Sequence, residues 1–186
     1  MLGRKGCKSS GIKRGAGVYK TLIVCHVGLF EELLRETLRD CPSFTLVGSY
    51  ADFGSALEGI GASRPAVALV YLTRGCAMEA VAFVHGVRSL SPLTRVAFLY
   101  HAWEADAVES LISEIDNPRE LSFLETGALT GAKELYSALA GVASGLALWD
   151  RNLTPHSEER FSGRDLLSER DLDRKSTRLN SSHLGI

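Results

Sequence analysis

Residues 65–72, PAVALVYL, run apolar from end to end without a charge. A strand covered by helices on both faces has this make-up, whereas a strand with one wet face alternates polar and apolar side chains. The run therefore asks for cover on two sides, and its flanks supply it. Tyr19–Val24 reads as another strand, followed by a helix over 29–38 in which Leu29, Phe30, Leu33 and Leu34 recur at helical spacing. Phe44–Tyr50 alternates like a strand with one exposed face, and residues 51–63, ADFGSALEGIGAS, form a short helix weakened by glycines.

The same alternation continues past the central run. Residues 78–90 read as a helix, Ser91 and Pro92 as a turn, and Arg95–Tyr100 as a strand. The acidic, amphipathic stretch 103–115 ends before Pro118, which forbids helical continuation. A fifth strand is predicted over 120–125 and a fifth helix over 131–148, with Leu135, Leu139 and Val142 on one stripe. Five strand–helix repeats with right-handed crossovers predict an α/β fold, a doubly wound five-stranded parallel sheet in the flavodoxin-like order 2-1-3-4-5. Its ligand crevice lies outside the carboxyl ends of strands 1 and 3. Cys25, His26 and Tyr71 end those strands and Tyr100 and His101 end the fourth, so all five are expected to face one crevice.

The remaining sequence divides around this domain. The chain has 186 residues and a net charge of −1, which gives no global pull toward nucleic acid or a membrane. Residues 1–18 carry Lys and Arg but no acid, and read either as a flexible basic arm or as sequence translated from an early start codon. They lack the apolar core of a signal peptide, and no later stretch is long enough to span a bilayer. Cys7, Cys25, Cys41 and Cys76 show no CxxC pairing, so reduced thiols in a cytoplasmic protein are expected. Residues 19–149 make the domain, and 150–165 are polar, with Pro155 and Gly163, as in a linker. The last stretch, 173–186 (DRKSTRLNSSHLGI), resembles a translated sequencing adapter, so the natural chain is expected to continue past Leu172.

Ordered matches at nearly constant spacing carry a family resemblance over residues 20–149. LIVCHVGLFEELL (22–34) resembles LIVDDHPLFREGL, FTLVGSYADFGSAL (44–57) resembles FEVVGEAADGEEAL, and RPAVALVYLTRG (64–75) resembles RPDVVLLDLRMPG. TRVAFLY (94–100) is similar to TRVVVLT, and LSFLETGA (121–128) to GYLLKDA. These are motifs of bacterial response-regulator receiver domains, especially those attached to LuxR-type DNA-binding domains. LLSERDL (166–172) in turn resembles LTERELEVL, the opening of a LuxR-type helix-turn-helix, with Ser168 placed to cap a helix.

The departures from that pattern fall on the family's chemistry. The two acidic residues that hold Mg²⁺ correspond to Cys25 and His26, the phosphoryl-accepting aspartate to Tyr71, the hydroxyl that reads out the phosphate to Tyr100, and its lysine partner to Glu125. Phosphoryl transfer needs a carboxylate nucleophile and a hard cation held by oxygen, and Cys and His are softer ligands. The resemblance therefore implies a receiver with a dismantled phosphoacceptor pocket, no resident cofactor and no enzymatic activity. Tyr71 and Tyr100 are expected to plug the vacated pocket, or else to line a site for a small-molecule ligand. A zinc site from Cys25, His26, Cys76 and His101 is the weaker alternative, because their spacing matches no zinc motif. His85 and His156 are expected to be solvated.

The resemblance further implies a homodimer through the surface of the fourth and fifth helices. Trp103, Leu111 and Tyr136 are its expected apolar anchors, and Lys133 and Arg119 its cations facing acidic residues of the other subunit. The expected function is that of the amino-terminal part of a transcriptional regulator whose receiver-like domain signals, dimerises or senses a ligand without aspartate phosphorylation. DNA would be bound only through the missing part of the helix-turn-helix. A stand-alone protein-interaction module is the alternative.

Overall fold

The computed structural model describes residues 18–149 and residue 153. The basic arm before Val18, the linker and helix-turn-helix-like stretch of 150–172 apart from Leu153, the tail 173–186 and His156 lie outside the described residues. All described residues belong to one compact unit that ends at Leu153.

Five parallel strands, β1 (Tyr19–Val24), β2 (Phe44–Tyr50), β3 (Val67–Tyr71), β4 (Arg95–Tyr100) and β5 (Ser122–Glu125), pair in the order β2-β1-β3-β4-β5. This is the order read from the sequence. Five helices connect or follow them: α1 (Gly28–Arg39), α2 (Phe53–Ser63), α3 (Ala77–Leu90), α4 (Ala105–Glu114) and α5 (Ala132–Ala143). Every residue of β3 is buried, as its unbroken apolar run requires.

Alternation along the strands splits the core into two layers. Leu22 and Val24 of β1, Ala68 and Val70 of β3, Phe98 and Tyr100 of β4 and Phe123 of β5 pack with α2, α3 and α4. Ile23, Leu69, Tyr71, Ala97, Leu99 and Leu124 face the other way, against Leu34 and Leu38 of α1 and Leu135, Leu139 and Val142 of α5. The glycines of α2 make room rather than merely weaken it. A Cβ on Gly59 would stand 2.3 Å from the Tyr50 hydroxyl, so the β2 tyrosine lies flat across that helix only because the position is bare.

Three boundaries differ from the sequence reading. Residues Ala102–Glu104 form a 3₁₀ turn, so α4 starts at Ala105 and Trp103 stands before it. Residues Pro118–Glu120 form another, entered through Asn117 in the left-handed region (φ 56°), and β5 begins only at Ser122. The largest difference is in α5, which stops at Ala143 instead of running to Leu148. Gly145 at φ +93° ends it. The Gly145 amide donates to the Val142 carbonyl and the Leu146 amide to that of Gly141, the paired bonds of a Schellman motif. Leu146 also packs beside Gly141, completing the motif's apolar contact. The chain then turns back along β5, where the Phe123 amide donates to the Leu148 carbonyl at 2.7 Å and Phe123 bridges Trp149 in parallel.

Candidate functional site

The crevice predicted at the carboxyl ends of β1 and β3 exists as a place in the fold, and aromatic rings fill it. Tyr71, the last residue of β3, is 7% exposed. Its ring centroid lies 4.4 Å from that of Phe30 in the first turn of α1, and 5.8 Å edge-on from His101 just past β4. His101 in turn stacks on Trp103 at 4.2 Å, and its Nδ1 is hydrogen-bonded to the Thr126 hydroxyl. Phe30, Tyr71, His101 and Trp103 thus form a continuous row of rings from α1 across the strand ends to an exposed indole. Contacts of this kind add roughly 0.5–1.5 kcal/mol each beyond the area they bury.

Cys25 and His26 part company at the end of β1. Cys25 continues the inward phase of Ile23 and is 1% exposed, with its thiol directed at the Val27 carbonyl 3.5 Å away. Burial pushes that thiol above its ordinary pKa, and the Glu31 carboxylate adds to the shift. His26 is exposed, and its Nε2 lies 3.2 Å from the Thr73 hydroxyl. Cys76 is taken up by the turn that precedes α3, with its sulfur 3.3 Å from the Thr73 amide. The Thr73 hydroxyl thus lies between His26 and Cys76, while the Cys25 thiol turns to the Val27 carbonyl and His101 to Thr126. Among the described residues, no three His, Cys, Asp or Glu side chains converge in a way that could hold a metal ion.

Nor do these residues fit Mg²⁺. A buried, protonated thiol and an exposed imidazole offer no pair of anionic oxygens, which is what that hard cation demands.

Two expectations are corrected here. Tyr100 does not enter the crevice. It is 2% exposed and belongs to the layer beneath α3 and α4, on the face of the sheet opposite Tyr71. Its register partner Glu125 is half-buried beside the Thr126 turn. Leu111 is not a surface anchor either. It is fully buried in the core between α4 and the sheet. Of the other expected dimer residues, Tyr136 is half-buried, with its hydroxyl donating to the Thr37 carbonyl of α1, while Trp103 and Lys133 are exposed.

The sequence reading missed a clamp over the crevice mouth. The Arg74 amide donates to a Glu104 carboxylate oxygen at 2.7 Å, and its guanidinium donates to the Trp103 carbonyl at 2.9 Å. The same guanidinium lies 3.9 Å from Glu104 and 3.7 Å from Asp106. These bonds tie the segment after β3 to the segment after β4. Nothing in the spacing of Arg74 and Glu104 marks them, because they meet only once the two strands are parallel neighbours. A cleft of about 360 Å³ lies against this clamp, lined by Arg74, Met78, Asp106 and Ser110 among others. A cleft of about 610 Å³ at the opposite end of the sheet is lined by Lys20, Arg64, Pro65, Leu90 and Leu93 among others. Burial also pushes the Tyr71 phenol above its ordinary pKa, with Cys25 and Glu104 contributing, so Tyr71 is neutral through the physiological range.

No protein-family model matches the chain, and no curated protein matches it. Solved structures do. The signal receiver domain of NarL from Mycobacterium tuberculosis is similar at 26% identity and a TM-score of 0.53, covering 68% of this chain and 97% of that one. The isolated REC domain of RcsB from Salmonella enterica serovar Typhimurium, with phosphomimetic BeF₃⁻, superposes at a TM-score of 0.56 and 12% identity, covering 77% of this chain and 98% of that one. A structure of two RcsB dimers bound to two parallel DNAs gives 0.56 at 13% identity, covering 84% of this chain and 74% of that one. Strand order, flanking helices and these likenesses together give the chain the receiver fold of response regulators.

Proposed function

We propose that the chain is the amino-terminal part of a response-regulator-like transcriptional regulator whose receiver-like domain works without aspartate phosphorylation. The observation that carries this is Tyr71. The position where the resemblance puts a phosphoryl-accepting carboxylate holds a ring packed on Phe30 and His101, beneath loops tied together by Arg74. A phenol cannot become an acyl phosphate, and Cys25 and His26 supply no oxygen ligands for the cation that such a transfer uses.

The domain then acts through its surfaces. Two copies pair so that attached DNA-binding domains meet paired half-sites, and the exposed Trp103 at the end of the ring row is where a small molecule or partner would alter the β4–α4 segment. The DNA-binding assignment is supported by LLSERDL at 166–172 and by the likeness to RcsB, whose dimers are seen on DNA.

The test is direct. The purified chain is incubated with acetyl phosphate and Mg²⁺ and its intact mass recorded. No change is expected. A stable, Mg²⁺-dependent gain of one phosphoryl group overturns the proposal.

A further inference from the structure

We propose that the cleft at the amino-terminal end of the sheet is a binding site for an amphipathic anion, a carboxylate or phosphate head on a short alkyl tail. The cleft holds about 610 Å³, within the range of roughly 300–1,000 Å³ usual for small-molecule sites. Its lining comes from the start of β1, the turn between α2 and β3 and the turn between α3 and β4. It lies at the far end of the strands from Tyr71, so the proposal is independent of the regulator reading.

The lining names the ligand. Its charged members are Lys20 and Arg64, both exposed cations, and neither forms an ion pair among the described residues. Val18, Leu90 and Leu93 line the same cleft at 56%, 51% and 86% exposure, three of the nine exposed large hydrophobic side chains among the described residues. A bare inorganic anion would leave that apolar surface wet, and a neutral or cationic amphiphile would leave both cations unmatched. An anion with an alkyl tail satisfies the two together, and a guanidinium pairs with a carboxylate or phosphate through two parallel hydrogen bonds.

Arg64 is the residue that folding explains least. It ends α2 in the left-handed region, at φ 45° and ψ 66°, where glycine is the usual residue. Its amide donates to the Ile60 carbonyl, a bond that glycine would make equally well. A side chain kept at a strained position, with its charge turned to an empty cleft, is accounted for by a ligand. The cleft is also held open in advance. The Ala66 amide donates to the Lys20 carbonyl at 2.8 Å and the Arg95 amide to the Ala66 carbonyl at 3.0 Å. The buried Thr94 hydroxyl donates to the Pro65 carbonyl at 2.7 Å and lies 2.9 Å from the Ser91 hydroxyl. These bonds tie the three lining segments together, so binding has little backbone to order.

The experiment titrates the full chain with octanoate and with octyl phosphate by isothermal titration calorimetry, with acetate and octylammonium as controls. At least one of the two amphipathic anions should bind saturably, and the tighter of them identifies the head group. Acetate and octylammonium should bind at least about tenfold more weakly, because each lacks one half of the match. Arg64→Gly removes the cation and relieves the backbone, so it should hold or raise the thermal midpoint while weakening the anion at least about fivefold. Lys20→Gln should weaken it in the same sense, and Leu93→Ser should weaken octanoate while leaving acetate unaffected. Three results would overturn the proposal: no saturable binding of either anion, octylammonium binding as tightly as the anions, or binding constants within about twofold of the parent in both Arg64→Gly and Lys20→Gln.

Discussion

Replacing Tyr71 by alanine tests whether the crevice is closed by packing. The ring is almost fully buried and touches Phe30 and His101, so removing it returns roughly 130 Å² of aromatic surface to the account, about 3 kcal/mol at ~25 cal/mol/Å². A residual cavity adds to that figure, and collapse subtracts from it. Phe30 is only half-buried, in the first turn of α1, and His101 stands in a connecting segment, so both can move inward. We expect a net loss of about 3–4 kcal/mol, near the lower end for large aromatic truncations. Against a domain stability of roughly 5–15 kcal/mol this is a large fraction, and at a urea m-value of about 2 kcal/mol/M it lowers the midpoint by ~1.5–2 M. Urea titration followed by far-ultraviolet circular dichroism measures it. Tyr71→Phe keeps the ring and should lose no more than about 1 kcal/mol at neutral pH. A loss below about 1 kcal/mol for Tyr71→Ala, with an unchanged slope, would refute the closed crevice, because such a ring would be lying on the surface.

Further outcomes follow from the same contacts. Tyr71→Asp should gain no mass with acetyl phosphate and Mg²⁺, since Cys25 and His26 still offer no oxygen ligands; labelling of this single variant would show that the metal site is not lost. Burial raises the folded pKa of both Cys25 and Tyr71, so each contributes stability that is fully present below its unfolded value of 9.0 or 10.0 and is lost as pH rises through the folded one. Urea midpoints should therefore fall above about pH 9, and the fall should be shallower in Cys25→Ala/Tyr71→Phe; identical profiles would sink the assignment. Leu111→Ala should cost about 2–5 kcal/mol and Trp103→Ala under about 1 kcal/mol, because the first is core and the second is surface; the reverse order in thermal melts would contradict the placement of α4.

Much of this architecture was legible because burial leaves a period in the sequence. The unbroken run at 65–72 marks the central strand, the strand–helix repeats around it imply a doubly wound parallel sheet, and the flavodoxin-like order common to such sheets is the one observed. The boundaries failed where one backbone angle outweighed a pattern. Leu146 keeps helical spacing with Leu139 and Val142 and the apolar Leu148 follows it, so the pattern predicts a helix that continues through Gly145. Those leucines serve the segment along β5 instead, and the glycine that permits the reversal was visible as a helix-terminating signal. Likewise the Asn117–Pro118 pair delays β5 by two residues, a turn that the acidic and apolar residues around it do not announce.

The site was legible in place but not in direction. Tyr71 and Tyr100 each end a strand, and the sequence offered no reason to separate them. In the sheet Tyr71 pairs with Leu99, so Tyr100 stands one residue further on, and one residue in a strand is a change of face. An amphipathic strand would have revealed this through its alternation. β3 is buried at every position and β4 at all but its first, so neither carries a polar residue to mark which side is which. The feature that makes a central strand easy to find is the one that erases its phase. Which terminal side chain reaches the crevice is then set by inter-strand register, a long-range property, and it settles why one tyrosine closes the crevice while the other supports the core beneath α4.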